Sequence, residues 1–456
     1  MGERIFRSRA GAFRICVVVA LIFAGAVPSF TSAGGWLTAQ NDKQSVKSQK
    51  QKNQKPAEQE PAAEPKEVGP QKAKIRTVTA FLKLNRATYE QQIDETLDFL
   101  QKAKAELEQG GYEVQTIRIA TQPFGDYTSD LSEDDGYKFL RQLDRLAAAK
   151  GFSISIGPAM LHVGDDPKRA ELLANALAPA ETMDGSLVVA GEDGIHWDAI
   201  ESAASVIQFL AVHSPRSSAN FRFAAGALTP AATPFFPTAY ENGNDHGFSL
   251  GLQSAGVVLE ALSETKDVVG AEKAIVDKLG PQAQEIEGIC RDVARKTSWH
   301  YLGIDVSPVP MKRESIGAAI EAFTGSWFGS SGTLTTAALI TRALAVIPVT
   351  RVGYSGLMMP VMEDQTIAKR WGEGSISVDG LLAYSSVCGT GLDVVPLPGR
   401  VTHLQLVRIL GDVASLSVKW HKPLSARLMP VAGKDAGDRT DFDDPRIVNA
   451  MIRPLP

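Results

Sequence analysis

The chain has 456 residues, 44% hydrophobic and 22% charged, a globular balance that excludes a mostly disordered or fibrous protein. Its formal charge of -5 argues against a nucleic-acid-binding surface over most of the length, so no nucleic-acid partner is expected. Three cysteines, Cys16, Cys290 and Cys388, are too few for a disulfide framework, although the last two could form one bridge.

At the start of the chain, Arg4, Arg7, Arg9 and Arg14 lead into an apolar run over 15–30, which closes on Thr31-Ser32-Ala33. A charged start, a short greasy stretch and small residues make a signal-peptide layout, so residues 1–33 predict an exported protein, periplasmic or extracellular. The alternative is a membrane anchor, but the run falls short of the ~20 residues that span a bilayer and carries Pro28. Membrane contact is expected only through this segment if it is not cleaved. Residues 34–75, rich in Lys, Gln, Glu and Pro with little to bury, are expected to be a disordered linker.

From 76 to 456 the pattern is that of one α/β domain. Residues 76–82 predict a strand, and 88–110 a helix with an apolar stripe at Ile93, Leu97, Leu100, Ala103 and Leu107. Strands at 114–119, 152–156, 186–190 and 221–225 then alternate with helices around 137–146, 172–177 and 200–207. Repeated β-α units imply parallel strands with right-handed crossovers, hence a barrel or a doubly wound sheet. In the second half, helices are predicted at 248–262, 272–295, 315–323 and 333–346, and strands at 301–306 and 424–431. The stretches between them are dense in Gly, Pro and charge, as ligand-carrying loops at strand ends are.

Several standard signatures are missing. Gly433-Lys434 runs into Asp435 instead of a phosphate-loop hydroxyl, and Gly389-Thr390-Gly391 has Val394 where a dinucleotide fold needs a third glycine. Gly353-Tyr354-Ser355-Gly356 is one residue short of a nucleophile elbow. No C-x-x-C or H-E-x-x-H occurs.

Four long motifs remain: Gly353 to Asp364, Tyr384 to Gly399, Lys422 to Leu428, and Gly433 to Asp438, joined by Phe236-Pro237 and Gly303-Ile304-Asp305. In this order they resemble the uncharacterised PFL family, known as domain of unknown function 711, from about residue 76 onward. The resemblance implies a ten-stranded α/β barrel similar to pyruvate formate-lyase and ribonucleotide reductase, with a hairpin threaded inside. It supplies no reaction. Arg351-Val352-Gly353-Tyr354 lacks one residue of the glycyl-radical sequence, and an exported protein would lack protection from oxygen, so radical chemistry is not expected.

The candidate catalytic residues are Cys388, beside permissive glycines at an expected strand end, together with Asp305 at the exit of the strand over 301–306 and Asp393 in a motif loop. Cys388 could equally be a small buried residue, and the two aspartates could be turn or cap residues. Carboxylates converging there could hold a divalent cation, the one cofactor anticipated. Glu363-Asp364 is expected to open the helix after it. Arg427, Lys422 and Lys434, with Asp438, Tyr354 and Ser355, are the candidate substrate-binding residues, and the cations favour an anionic ligand. The expected function is an enzyme acting on a small polar or anionic molecule by acid-base or hydrolytic chemistry. A non-catalytic binding or scaffold protein, with self-association left open, is the alternative.

Overall fold

The computed structural model describes residues 71–455. The expected signal peptide, and the linker as far as residue 70, lie outside the described residues. Residues 71–75 are already part of the fold, since β1 (Lys74–Leu82) begins two positions before the expected start.

Nine further strands follow: β2 (Ile117–Thr121), β3 (Ser153–Pro158), β4 (Met183–Gly191), β5 (Gly194–Ile195), β6 (Phe223–Ala227), β7 (Gly247–Gln253), β8 (His300–Asp305), β9 (Gly391–Pro398) and β10 (Leu424–Val431). They form one mixed sheet in the order β8-β7-β1-β2-β3-β4-β6-β10-β9, with the two-residue β5 paired to β4. β1, β2, β3, β4 and β6 run parallel, as the β-α rhythm predicts. β7 and β10 flank that block antiparallel to it, and each carries a parallel neighbour on its far side.

Hydrogen bonds do not close this ten-stranded sheet, whose ends are β8 and β9. An irregular segment approaches both ends. The Ile304 amide of β8 donates to Thr350 O at 2.8 Å, and Val361 N donates to Asp393 O of β9 at 2.9 Å.

The two faces of the sheet differ in chemistry because strand side chains alternate. Val78, Ala80, Ile119, Ile154, Ile156, Leu187, Val189 and Leu250 point one way into the main core, beneath the helices. Helix ends are set by local sequence: Ser132 caps the helix Glu133–Lys150, and Gly151 ends it in the left-handed region at φ 72°. On the other face stand Thr77, Thr79, Ser153, Ser155, Ser186, Ser249 and Gly251, small or hydroxylated.

The chain between β6 and β7 crosses that second face. Thr79 Oγ1 donates to Pro234 O at 2.8 Å, Ser155 Oγ to Ala239 O at 2.6 Å, and Ser249 Oγ to Ala232 O at 3.0 Å. At Gly251 a Cβ would sit 2.5 Å from the Phe235 ring, so the strand must be bare where the segment passes.

Two expectations need correcting. Residues 248–262 were expected as one helix, but they divide into β7 and the helix Ala255–Ser263. The alternation Phe248, Leu250, Leu252 is a strand period, and it runs into a helical one without a turn residue between them. Cys388 does not stand at a strand end but follows the helix Val378–Ser385, three residues before β9.

Candidate functional site

Near the N-terminal ends of the parallel strands, the polar face opens into a cavity of about 170 Å³. Arg76 is the third residue of β1, Arg118 the second of β2, Asp184 the second of β4, and Arg222 immediately precedes β6. The antiparallel neighbour β10 brings Arg427 to the same place, β9 brings Asp393, and Arg446 arrives from the C-terminal segment. Phe235, Phe236 and Thr238 of the crossing segment form the opposite wall with Tyr354.

The arginines are not equivalent. Arg427 is clamped, with Nε 2.5 Å from Asp393 Oδ1 and Nη2 2.7 Å from Glu363 Oε2. Burial opposes its charge, yet those two carboxylates hold it above its ordinary value. Arg446 forms a two-point pair with Asp444, at 2.9 and 2.5 Å. The Phe221 ring lies between the two, its centroid 4.9 Å from the Arg427 guanidinium and 4.8 Å from that of Arg446.

Arg76 reaches Glu363 only at 3.9 Å and bonds Gln115 instead. Arg118 donates through Nε to Thr116 and stacks over Phe236 at 4.9 Å. Among the described residues, no carboxylate lies within 4.0 Å of Arg118 or Arg222. Burial first, and the neighbouring charge of Arg76 second, weaken the charged form of Arg118, as expected of a cation without a counter-ion.

The carboxylates divide in the same way. Asp393 and Glu363 are spent on Arg427. Asp184 accepts no hydrogen bond from the described residues and forms no ion pair, and burial pushes its carboxyl up to about 6 against the pull of Arg222 and Arg118.

Of the residues expected from sequence, Asp393, Arg427 and Tyr354 line the cavity. The Tyr354 hydroxyl bonds Thr238 Oγ1 at 2.9 Å, and burial pushes it up to about 12. Asp305 lies beneath the cavity wall, where its carboxylate accepts from Ser307 N and Oγ, Tyr354 N and Ser355 N at 2.5–3.0 Å. It thereby holds the turn that presents Tyr354, and burial raises its carboxyl to about 6. Gly353 takes φ 65° there, and a Cβ would strike the Asp305 carboxylate. Ser355 is part of the same turn, its hydroxyl bonded to Val352 O.

The remaining candidates lie elsewhere. Cys388 is buried outside the cavity, its amide bonded to Tyr384 O, and its carbonyl accepts from the Lys422 ammonium. Lys422 also bonds Ser385 O, so it ties a turn together. Lys434 pairs with Asp441 at 3.3 Å and bonds Arg439 O, and the exposed Asp438 caps the neighbouring turn through Asp435 N. Asp364 caps the helix Gln365–Glu373 as expected, whereas Glu363 turns into the cavity.

Asp305 and Asp393 do not converge, since Asp305 lies beneath the cavity wall. Among the described residues no three His, Cys, Asp or Glu side chains come together as a metal donor set, and no step is derived from a metal. Sequence reasoning missed Arg76, Arg118, Asp184, Arg222 and Arg446. The available signal was a charge at an inward position of an otherwise β-branched strand, as in Ile117-Arg118-Ile119.

Known proteins match most of this chain. The family described as Uncharacterised ACR (DUF711) matches residues 67–443. A "UPF0210 protein" of Pyrobaculum arsenaticum is 31% identical over 350 residues, 73% of this chain and 77% of that protein. A namesake from Actinobacillus pleuropneumoniae serotype 5b is 25% identical over 403 residues, 83% of this chain and 89% of its own. Another, from Desulforudis audaxviator, is 29% identical over 349 residues. No helix of the described residues is long and apolar enough to cross a membrane.

Proposed function

The chain belongs to the DUF711 family, and from the geometry of its cavity we propose that it binds and transforms a small anionic molecule, a carboxylate or a phosphate. The observation that carries this reading is the pair Arg118 and Arg222, which line the cavity with no carboxylate within 4.0 Å. A guanidinium left uncompensated at a buried site costs stability that a bound anion would return. The volume limits the ligand. About 170 Å³ is below the ~300 Å³ at which drug-sized pockets begin, so the ligand is a small acid or phosphoester. Acid-base chemistry is the class these groups support best, with Asp184 and Tyr354 as the protonic side chains in the cavity and Arg118 and Arg222 as the anion clamp.

The test is calorimetric titration of the purified chain with inorganic phosphate and with malonate. Binding by the wild type, lost at least tenfold in Arg118→Ala with the fold intact, is the expected result. Equal affinity in the variant, or no affinity in either protein for either anion, would overturn the reading.

One observation favours a protein that binds without turnover: Arg427, Asp393 and Glu363 already satisfy one another, and no cysteine lines the cavity. Absence of any chemical change in a bound acid over long incubation would select that alternative. We also propose export, on the layout of residues 1–33, and a sheet curled into the ten-stranded barrel that the family resemblance implies. The barrel reading is supported by the segment bonded to both sheet ends and by the chain crossing the polar face.

A further inference from the structure

We propose that Asp184 is the proton-exchanging group of this cavity: its carboxylate stands in for a ligand anion while the cavity is empty, and takes up a proton when an anion binds. The inference rests on the anion-binding reading above. Asp184 is half-buried on the polar face of β4, next to the cavity, and no side chain of the described residues hydrogen-bonds or ion-pairs with it.

The charges that act on it are Arg222 before β6, Arg118 on β2, Arg446 of the C-terminal segment and Arg427 on β10. Two of the four are already paired, Arg427 with Asp393 and Glu363 and Arg446 with Asp444. The uncommitted charge is therefore that of Arg118 and Arg222, which Asp184 and an incoming anion must share. Two negative charges in one small buried space repel, so binding favours the neutral acid at Asp184. Linkage then requires that affinity for an anion rise as pH falls.

Other titrating groups are few. No histidine lines the cavity, and Tyr354 stays protonated throughout the acidic and neutral range. Glu181, exposed at the rim two residues before β4, is the other uncommitted carboxylate of the lining. Asp305, raised to about 6 beneath the wall, is held by Ser307 and by the Tyr354 and Ser355 amides and does not line the cavity. The proton goes from solvent to Asp184 on binding and returns on release, so the exchange is balanced without a further reactant.

Sulfate is the probe, because its charge does not change between pH 5 and pH 8. The full chain is titrated calorimetrically across that range as wild type, Asp184→Asn, Glu181→Gln and Arg118→Ala. The wild type should gain about tenfold in affinity towards pH 5, corresponding to a shift of about one pKa unit on binding. Asp184→Asn should bind at every pH as tightly as the wild type does at pH 5, with no slope. Glu181→Gln should keep the slope.

An unchanged slope in Asp184→Asn, or a slope lost in Glu181→Gln instead, would overturn the role of Asp184 and leave the anion site standing. Sulfate binding that Arg118→Ala does not weaken, or that the wild type does not show at any pH, would overturn the anion site and this inference together.

Discussion

The two faces of the sheet are built from the same strands, residue by alternate residue, yet they obey different rules. The helix-covered face is Ile, Leu, Val and Ala in continuous contact, where each side chain is replaceable by another of similar volume. The opposite face is small and hydroxylated, and most of its charge stands where β1, β2, β4, β9 and β10 meet the cavity. One face makes the fold stable. The other must leave room for a crossing segment and a ligand, and its stability comes from particular hydrogen bonds and ion pairs.

The largest test of this contrast is Arg427→Ala. If Arg427 belongs to the architecture of the polar face, the variant leaves Asp393 and Glu363 buried without their cation and should lose ~3–5 kcal/mol in denaturant unfolding. A loss below ~1 kcal/mol would mean that the triad is not structural. A smaller effect is expected at Gly251. An alanine there would press on the Phe235 ring and displace the crossing segment, costing ~1–3 kcal/mol, whereas alanine at an outward position such as Val78 would instead leave a cavity. Thermal melts of Gly251→Ala unchanged from wild type would show that the segment gives way easily.

Smaller again is Thr79→Val, which removes one hydroxyl and leaves Pro234 O without its donor, for a loss of ~1 kcal/mol. The finest distinction is in pH. The Asp184 carboxyl is raised to about 6, above the ~4 of an unfolded aspartate, so the folded chain holds that proton more tightly. Its stabilising contribution is complete below about pH 4 and is lost as pH rises through about 6. The stability difference between wild type and Asp184→Asn should therefore drift against the wild type over that window, in melts recorded at half-unit steps. A constant difference would show that Asp184 is solvated in the free protein.

Much of the outer face was legible in the sequence. The stripe of Ile93, Leu100, Ala103 and Leu107 and the alternation of Ile154 and Ile156 follow directly from burial on one side, and the helices and parallel strands of the first half lie near their expected places. β7 was hidden because its inward residues are Gly247, Ser249 and Gly251, which carry no pattern of their own. The site was legible only in part. Asp393 stood out in a glycine-rich motif and Arg427 as a charge in an apolar strand, but what they bond to depends on Glu363, 30 and 64 positions away in sequence from Asp393 and Arg427. Arg118 and Asp184 each look like an isolated surface charge until the sheet brings β2 and β4, with β3 between them, to one cavity. Cys388 drew attention through its glycine neighbours, and those glycines serve backbone contact: a Cβ on Gly389 would meet the Gly356 backbone at 2.6 Å.

The Phe221 ring held between Arg427 and Arg446 has a consequence for how the protein comes into being. The cavity needs Arg76 from the first strand and Arg446 from beyond the tenth, so its walls span nearly the whole described chain. A partly synthesised chain that has made β1 to β6 already owns the whole parallel block, but not Arg427 and Arg446, the two arginines that complete the site around Phe221. Closure belongs to the late, long-range contacts that set slow folding rates. A small anion present during synthesis would therefore report on, and favour, the finished protein over its unfinished forms.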